Sequence, residues 1–301
     1  MLVTANHTVL EYDAFGNPDD EAILLISGLN TPMTRWSEHF CHMLTQGGYF
    51  VIRYNNRDTG RSEHFAHYQS ISLAKVLFGR FFGIKPKLPY TIDDMVEDGV
   101  ALLDRLHIHK AHVIGKSMGG IIAQLIASKH PQRVHSLTVL MSTTGNIRLP
   151  GPSKSLMWLI LKKKPNPQID LQGYLQYRLK YTRAIGSKKY PTTDQAVRDR
   201  VLIDLQNGQY GPGAAKRQLA ALIQAGDIRS QIKKITCPTL VIHGDCDPLV
   251  PLACGLDVHA NIAHSTMKVV KDMGHSLHEQ FLQEVVSAIQ LKHLKKIEYL
   301  D

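Results

Sequence analysis

Two kinds of apolar patterning alternate along this chain. Short, nearly continuous apolar runs recur at Ala22–Ile26, Phe50–Tyr54, Ala111–Ile114, Leu137–Met141, Thr239–Ile242 and Met267–Val270. Such runs suit strands buried on both faces, because each side chain meets a packed layer whichever way it points. Between them lie segments of helical period. Thr91–Leu106 opens with a Thr and early acids, which suit a helix N-terminus, and Ile92, Met95, Val96, Val100, Leu103 and Leu106 recur along one face. Thr34–Gln46 reads as a helix stopped by Gly47-Gly48, and Met118–His130 as another stopped by Pro131. A last helical segment runs through Leu291, with His278 inside it.

Strands alternating with helices predict an α/β fold with a mostly parallel sheet flanked by helices. Between about Asn146 and Ile232 the strand runs vanish. Helical segments rich in Lys, Arg and Tyr replace them, punctuated by Pro150, Pro152, Pro165, Pro167 and Pro191. The expectation is one α/β core from residues 1–145 and 233–301, with a helical cap, 146–232, inserted in it. The most apolar stretch of the cap, Leu156–Leu161, ends at Lys162–Lys164 and falls far short of the ~20 residues that span a bilayer. It reads as one apolar helix face, a lipid-facing or acyl-lining helix being the sharper alternative. The tail, Leu291 to Asp301, reads as a basic helix with Leu294, Ile297 and Leu300 as docking residues.

Composition narrows the class without naming a chemistry. The 301 residues are 44% hydrophobic and 20% charged, which argues for a folded globular chain. Lys and Arg outnumber Asp and Glu 35 to 26, a formal charge of +9. No Arg-rich run or zinc-ligand framework accompanies that charge, so no nucleic acid partner is expected. The four cysteines, Cys41, Cys237, Cys246 and Cys254, form no CxxC pair and read as reduced thiols of a cytoplasmic protein. The segment Met1–Tyr12 lacks the basic start and apolar run of a secretory signal.

The chemistry enters at Gly115-Lys116-Ser117-Met118-Gly119, followed by Gly120. A Gly-x-Ser-x-Gly between a strand and a helix is the nucleophile elbow: a sharp turn that only small neighbours tolerate, with the serine at a helix N-terminus. A serine hydroxyl needs a base. His275 follows the last strand run and Gly274, a position that singles it out among 16 histidines. The base needs an orienting acid. Asp245 and Asp247 both follow the strand Thr239–Ile242. Asp247 precedes Pro248, which holds the loop extended and away from the strand, whereas an Asp after Gly commonly bonds its own turn. The loop Ser142–Gly145 offers no carboxylate. The order Ser117, Asp247, His275 follows. For a developing oxyanion the expected donors are the backbone N–H groups of Met118 and of Leu29, in the loop Ser27-Gly28-Leu29-Asn30. Asn30 and Trp158 are the expected substrate contacts.

Together these residues resemble the α/β-hydrolase superfamily, and within it the aclacinomycin-methylesterase-like and proline-iminopeptidase-like esterases. Arg57-Asp58-Thr59-Gly60-Arg61-Ser62, Ser117-Met118-Gly119-Gly120 with Ile122-Ala123-Gln124, Cys237-Pro238-Thr239, His243-Gly244-Asp245, Asp247-Pro248-Leu249-Val250-Pro251 and Gly274-His275 match the family's motifs. The likeness covers both core segments, and the cap carries no matching motif. Two positions depart from the pattern: Ser27-Gly28 stands where His-Gly is familiar, and Lys116 where the elbow often has His, Glu or Gln. Arg57 and Asp58 read as an ion pair and turn bonds bracing the loop. The resemblance implies a serine hydrolase of the α/β-hydrolase fold, most simply a carboxylic ester hydrolase acting on a small-to-medium ester through an acyl-enzyme. No cofactor or metal, no stable membrane insertion, and a monomer or homodimer are expected. The rival readings are a prolyl aminopeptidase-type amide hydrolase, a lactone or carbon–carbon bond hydrolase, and a ligand-binding receptor on the same fold.

Overall fold

The computed structural model describes residues 1–293 other than 69, 70, 163, 209, 210 and 212, without the side chains of 161 and 291–293. The expected docking residues Leu294, Ile297 and Leu300 therefore lie outside the described residues. The chain opens with β1 (Leu2–Ala5) and β2 (Thr8–Phe15), then β3 (Glu21–Ile26), α1 (Glu38–Thr45) and β4 (Tyr49–Tyr54). Next come α2 (Leu73–Phe82), α3 (Ile92–Arg105), β5 (Ala111–Lys116), α4 (Met118–Lys129) and β6 (Val134–Leu140). The helices α5 (Lys154–Leu161), α6 (Leu171–Ile185), α7 (Asp194–Gln206), α8 (Ala214–Ala225) and α9 (Arg229–Ile232) separate β6 from β7 (Thr239–Gly244). The chain continues through α10 (Leu252–Asn261), β8 (Ser265–Val270) and α11 (Leu282–His293).

The strands form one sheet in the order β1-β2-β4-β3-β5-β6-β7-β8. β1 and β2 pair antiparallel, β2 meets β4 antiparallel, and every pairing from β4 through β8 is parallel. Every apolar run read from the sequence is a strand, and the fold is the expected α/β sheet flanked by helices. Ile23 and Leu25 pack with Phe40, Leu44, Val286 and Ile289 on one face, while Leu24 and Ile26 pack with Met95, Val96, Ile122 and Ile126 on the other. That alternation, with both faces buried, is why these strands read as unbroken apolar runs. β1 and β2 lacked that signal: Glu11 and Asp13 break up Leu10, Tyr12 and Ala14, as an antiparallel strand near the sheet edge allows.

β3 lies between β4 and β5, so the chain builds outward to β4 and then returns across β3 to build the other half. Loops leaving β3 and β5 diverge there, and open parallel sheets form their crevice at the carboxyl ends of such strands. The pairing ends at Ile26 opposite Gly115, so Ser27-Gly28 and Ser117 emerge side by side.

Some local expectations are corrected. The expected helix Thr34–Gln46 begins only at Glu38, after a tight turn at Met33–Arg35. Trp36 is extended and fully buried between them, and Ser37 caps α1 by accepting the Phe40 N–H. His278 precedes the last helix instead of lying inside it; its ring accepts from the Gln280 N–H at a short turn before Leu282. Arg57 and Asp58 do not pair with each other. Arg57 makes a two-pronged bond to Asp98 of α3 at 2.6 and 2.7 Å. Asp58 takes a matching bond from Arg217 of α8, both contacts at 2.7 Å, and also accepts from the Tyr90 hydroxyl and Phe65 N–H. Asp58, at φ 67°, sits in a turn, and each of the two neighbours finds a separate buried partner.

Both members of the Asp58–Arg217 pair are nearly inaccessible. Burial works to raise the Asp58 carboxyl, but Arg217, Tyr90 and Phe65 outweigh it and hold it below the usual carboxylate range. Asp58→Asn removes the charge and leaves Arg217 buried without it. The expected loss is about 3–5 kcal/mol of stability, read as a lower urea midpoint at neutral pH.

Candidate active site

β5 is held between β3 and β6, and its end delivers Ser117 at φ 56° and ψ −121° as the residue before α4. A non-glycine residue is strained there, and its surroundings impose the strain. Ser117 N–H donates to Leu140 O at 3.0 Å, and the Ser142 hydroxyl donates to Ser117 O at 2.7 Å. The flanking glycines are required by contact. A Cβ on Gly115 would sit 2.1 Å from Gly119 O, and one on Gly119 would sit 2.2 Å from Ile26 O. Both clashes are with backbone, which cannot swing aside.

The loops after β7 and β8 meet Ser117. Asp247 accepts the Leu249 and Val250 N–H groups on Oδ1, both at 2.9 Å, while Oδ2 contacts His275 Nδ1 at 2.7 Å. His275 Nε2 stands 3.0 Å from Ser117 Oγ. A carboxylate can only accept, so Nδ1 carries the proton. In the neutral ring Nε2 is then the acceptor that faces the serine hydroxyl. The structure thus brings Ser117, Asp247 and His275 together in one hydrogen-bonded line. Asp245 does something else: its Oδ1 accepts the Asp272 N–H, tying the β7 loop to the β8 loop.

The loop after β3 closes the other side. A Cβ on Gly28 would lie 3.2 Å from Ser117 Cβ, so this backbone runs directly against Ser117. Among the described residues, neither the Leu29 nor the Met118 N–H meets an acceptor. Asn30, at φ 48°, gives its N–H to Gln218 Oε1 at 2.6 Å. Gln218 also donates to Arg57 O and Thr59 Oγ1, so a residue of α8 fixes this loop. Trp158 is 65% exposed on α5, with Lys162 Nζ 5.2 Å from its ring centre.

Two positioning residues escaped the sequence reading. Gln218 had no local signal, because its three partners lie over 150 positions away. His243, inside the His243-Gly244-Asp245 motif, could have been found. Its Nε2 meets Val250 O at 2.7 Å and braces the loop that carries Asp247. Burial pushes His243 down, which keeps the ring neutral there. The strand β8 loop is steadied from α6: His275 N–H donates to Ile185 O at 2.7 Å, and Gly274 packs where a Cβ would strike Gly186.

A nucleophile elbow at a topological switch point, with an acid and a histidine after the last two strands, defines an α/β-hydrolase, and the chain is an enzyme of that class. It belongs to the family described as serine aminopeptidase, S33, whose model matches residues 17–281. Rhodomycin D methylesterase of a Streptomyces species is 27% identical, with 92% of each chain covered. The 3-oxoadipate enol-lactonase 2 of Acinetobacter baylyi is 28% identical, covering 89% of this chain and 87% of its own. Among solved structures, a meta-cleavage product hydrolase from Pseudomonas fluorescens superposes with a TM-score of 0.72 at 18% identity, over 97% of each chain. The enol-lactonase from Burkholderia xenovorans gives 0.69 at 22% identity, covering 96% of this chain and 99% of its own. Those two likenesses concern the fold. Among the described residues no helix is long and apolar enough to cross a membrane, and no group of three or more His, Cys, Asp or Glu is placed to hold a metal.

Lys116, the unusual elbow residue, is buried with its Nζ 5.1 Å from the Trp36 ring centre. Burial pushes its ammonium down from 10.5 to about 8, and Arg35 and Arg200 add repulsion. The ring restores part of the lost solvation. A lysine depressed in the folded state opposes folding while both states hold the proton. The penalty fades as pH rises from about 8 towards 10.5. Lys116→Met should therefore stabilise the fold by about 1–3 kcal/mol below that range and progressively less through it, as measured by urea unfolding across pH.

Proposed function

We propose that the chain is a serine carboxylic-ester hydrolase that works through an acyl-enzyme. The observation that carries this reading is the unbroken line Asp247–His275–Ser117 at 2.7 and 3.0 Å. Ser117 Oγ attacks the ester carbonyl as its proton passes to His275 Nε2. Asp247 holds the ring in its tautomer and stabilises the imidazolium. The Leu29 and Met118 N–H groups receive the oxyanion. The intermediate collapses, and the alcohol leaves with the proton from His275. A water then gives its proton to the same nitrogen, attacks the acyl-Ser117 carbonyl, and the acid departs as Ser117 recovers its proton. Asn30 and Trp158 are the proposed substrate contacts.

Residues 146–232 are proposed as a cap over this crevice. Its contacts support that role: α6 accepts the His275 N–H through Ile185 O, and α8 holds the Asn30 N–H through Gln218. The cap touches both the base and the oxyanion loop.

The family's description favours an aminopeptidase as a second reading. Such an enzyme must receive a protonated amine. Electrostatics near the site oppose it: Arg178 and Arg200 both repel Arg35, Arg200 also repels Lys116, and Asp204 is engaged by Arg35. Relatives named as a methylesterase and an enol-lactonase lend support to the ester.

Labelling by a fluorophosphonate probe, with Ser117→Ala and His275→Ala alongside, tests the nucleophile. Wild type should label and both variants should not. Turnover of a nitrophenyl ester panel should fall by about 10⁴-fold or more in kcat for Ser117→Ala. Turnover of prolyl anilides without esters would favour the aminopeptidase. A folded wild type that neither labels nor turns over would sink the hydrolytic reading in favour of a receptor.

A further inference from the structure

The segment between β4 and β5 exposes an apolar face that the site does not use. In α2, Val76 and Gly79 face the protein and are buried. Leu77, Phe78, Phe81 and Phe82 fall on the opposite side of the helix, at helical spacing. Phe81 is 83% exposed, and Leu77, Phe78 and Phe82 are each more than half exposed. The rings gather into one cluster, with Phe78 and Phe82 centroids 4.3 Å apart and Phe81 and Phe82 5.2 Å apart. Single exposed apolar residues are ordinary; a contiguous aromatic cluster on one helix face marks an interaction surface.

The chain after α2 adds charge to this face. Gly83, at φ 71°, ends the helix, and Ile84 N–H returns to Gly79 O at 2.7 Å. The return carries Ile84 and Lys85 back beside α2, where they line a cavity of about 500 Å³ with Arg80, Ile147, Arg148 and Arg229. Ile84 and Ile147 at this cavity are both largely exposed. Asp227, its acidic lining residue, is chelated by Arg229 at 2.7 and 3.0 Å. Arg80 donates to Gly145 O and helps Arg229 hold the Asp227 carboxyl down, and among the described residues no carboxylate lies within ion-pair distance of Arg80, Lys85 or Arg148. α2 itself contains no acid.

We propose that this face docks peripherally on the surface of an anionic phospholipid bilayer. α2 lies in the interfacial plane with Phe78, Phe81 and Phe82 among the upper acyl chains. Arg80, Lys85 and Arg148 receive a headgroup phosphate at the cavity. Aromatic residues flanked by cations suit this depth, where the rings leave water and the charges meet lipid phosphates. A helix of this length reaches into one leaflet and does not span it. Charge decides against a second copy of the chain: a twofold contact through this face would set two basic rims against each other.

Co-sedimentation of the full chain with phosphatidylcholine vesicles, with and without phosphatidylglycerol, tests the docking. Wild type should bind the phosphatidylglycerol vesicles and release at high salt. The pair Phe81→Ser/Phe82→Ser and the pair Lys85→Glu/Arg148→Glu should each weaken binding about tenfold or more. Both variants should keep wild-type probe labelling and turnover of soluble esters, which separates docking from the site's chemistry and from misfolding. Equal binding to neutral and anionic vesicles overturns the proposal, as does binding that survives both pairs. A wild-type dimer that Phe81→Ser/Phe82→Ser dissociates, with no vesicle binding, also overturns it and assigns the face to self-association.

Discussion

The strained backbone of Ser117 is the constraint on which the rest of the site depends. Holding a serine at φ 56° costs about 1–3 kcal/mol, and nothing local favours it. The sheet holds it there. Leu140 O takes its N–H, the Ser142 hydroxyl bonds its carbonyl, and the glycines at 115 and 119 let β3 and α4 close to backbone contact. With that geometry in place, the hydroxyl stands above the carboxyl ends of the strands and the Met118 N–H begins a helix beneath it. The loop after β3 comes close because β3 is the immediate neighbour of β5. Strand order therefore decides which loop faces the serine.

The helical segment between β6 and β7 is tied to the core by apolar packing at Ala221, Ile228 and Ile232 and by buried polar contacts. Asp58 and Arg217 bind across from the β4 loop to α8, Gln218 links the β3 loop at Asn30 to the β4 loop at Arg57 and Thr59, and Ile185 O takes the His275 N–H. Two of these contacts, at Asn30 and His275, fall on loops that bear part of the site. A shift of this segment would then move the Leu29 loop and the His275 loop together. Buried two-pronged pairs have strict geometry, so they add directional contacts to the apolar packing.

Positive charge is distributed unevenly in its effect. Near the site, Arg35, Arg178 and Arg200 share one carboxylate, Asp204, and burial pushes that acid up from its ordinary range. Beside α2, Arg80, Lys85 and Arg148 line a cavity whose acidic residue, Asp227, is held by Arg229, and among the described residues no carboxylate forms an ion pair with those three. The chain's excess of Lys and Arg thus has local consequences that its net charge does not describe.

Sequence alone determined the parallel core and the three residues of the hydrogen-bonded line. Strands buried on both faces must be continuously apolar, a strained turn must be flanked by glycine, and an acid and a base must follow successive strand ends; all three requirements are local along the chain. β1 and β2 were not legible, because a strand near the edge satisfies only one apolar face and looks like ordinary alternation. The partners of Arg57 and Asp58 were not legible either. An ion pair is a contact in space, and Asp98 and Arg217 come from helices that only the folded sheet brings to that loop. The same reason hid Gln218 behind the Leu29 loop and the cations beside α2. Residue type states what a side chain can bond, and only the tertiary structure decides which distant group arrives to meet it.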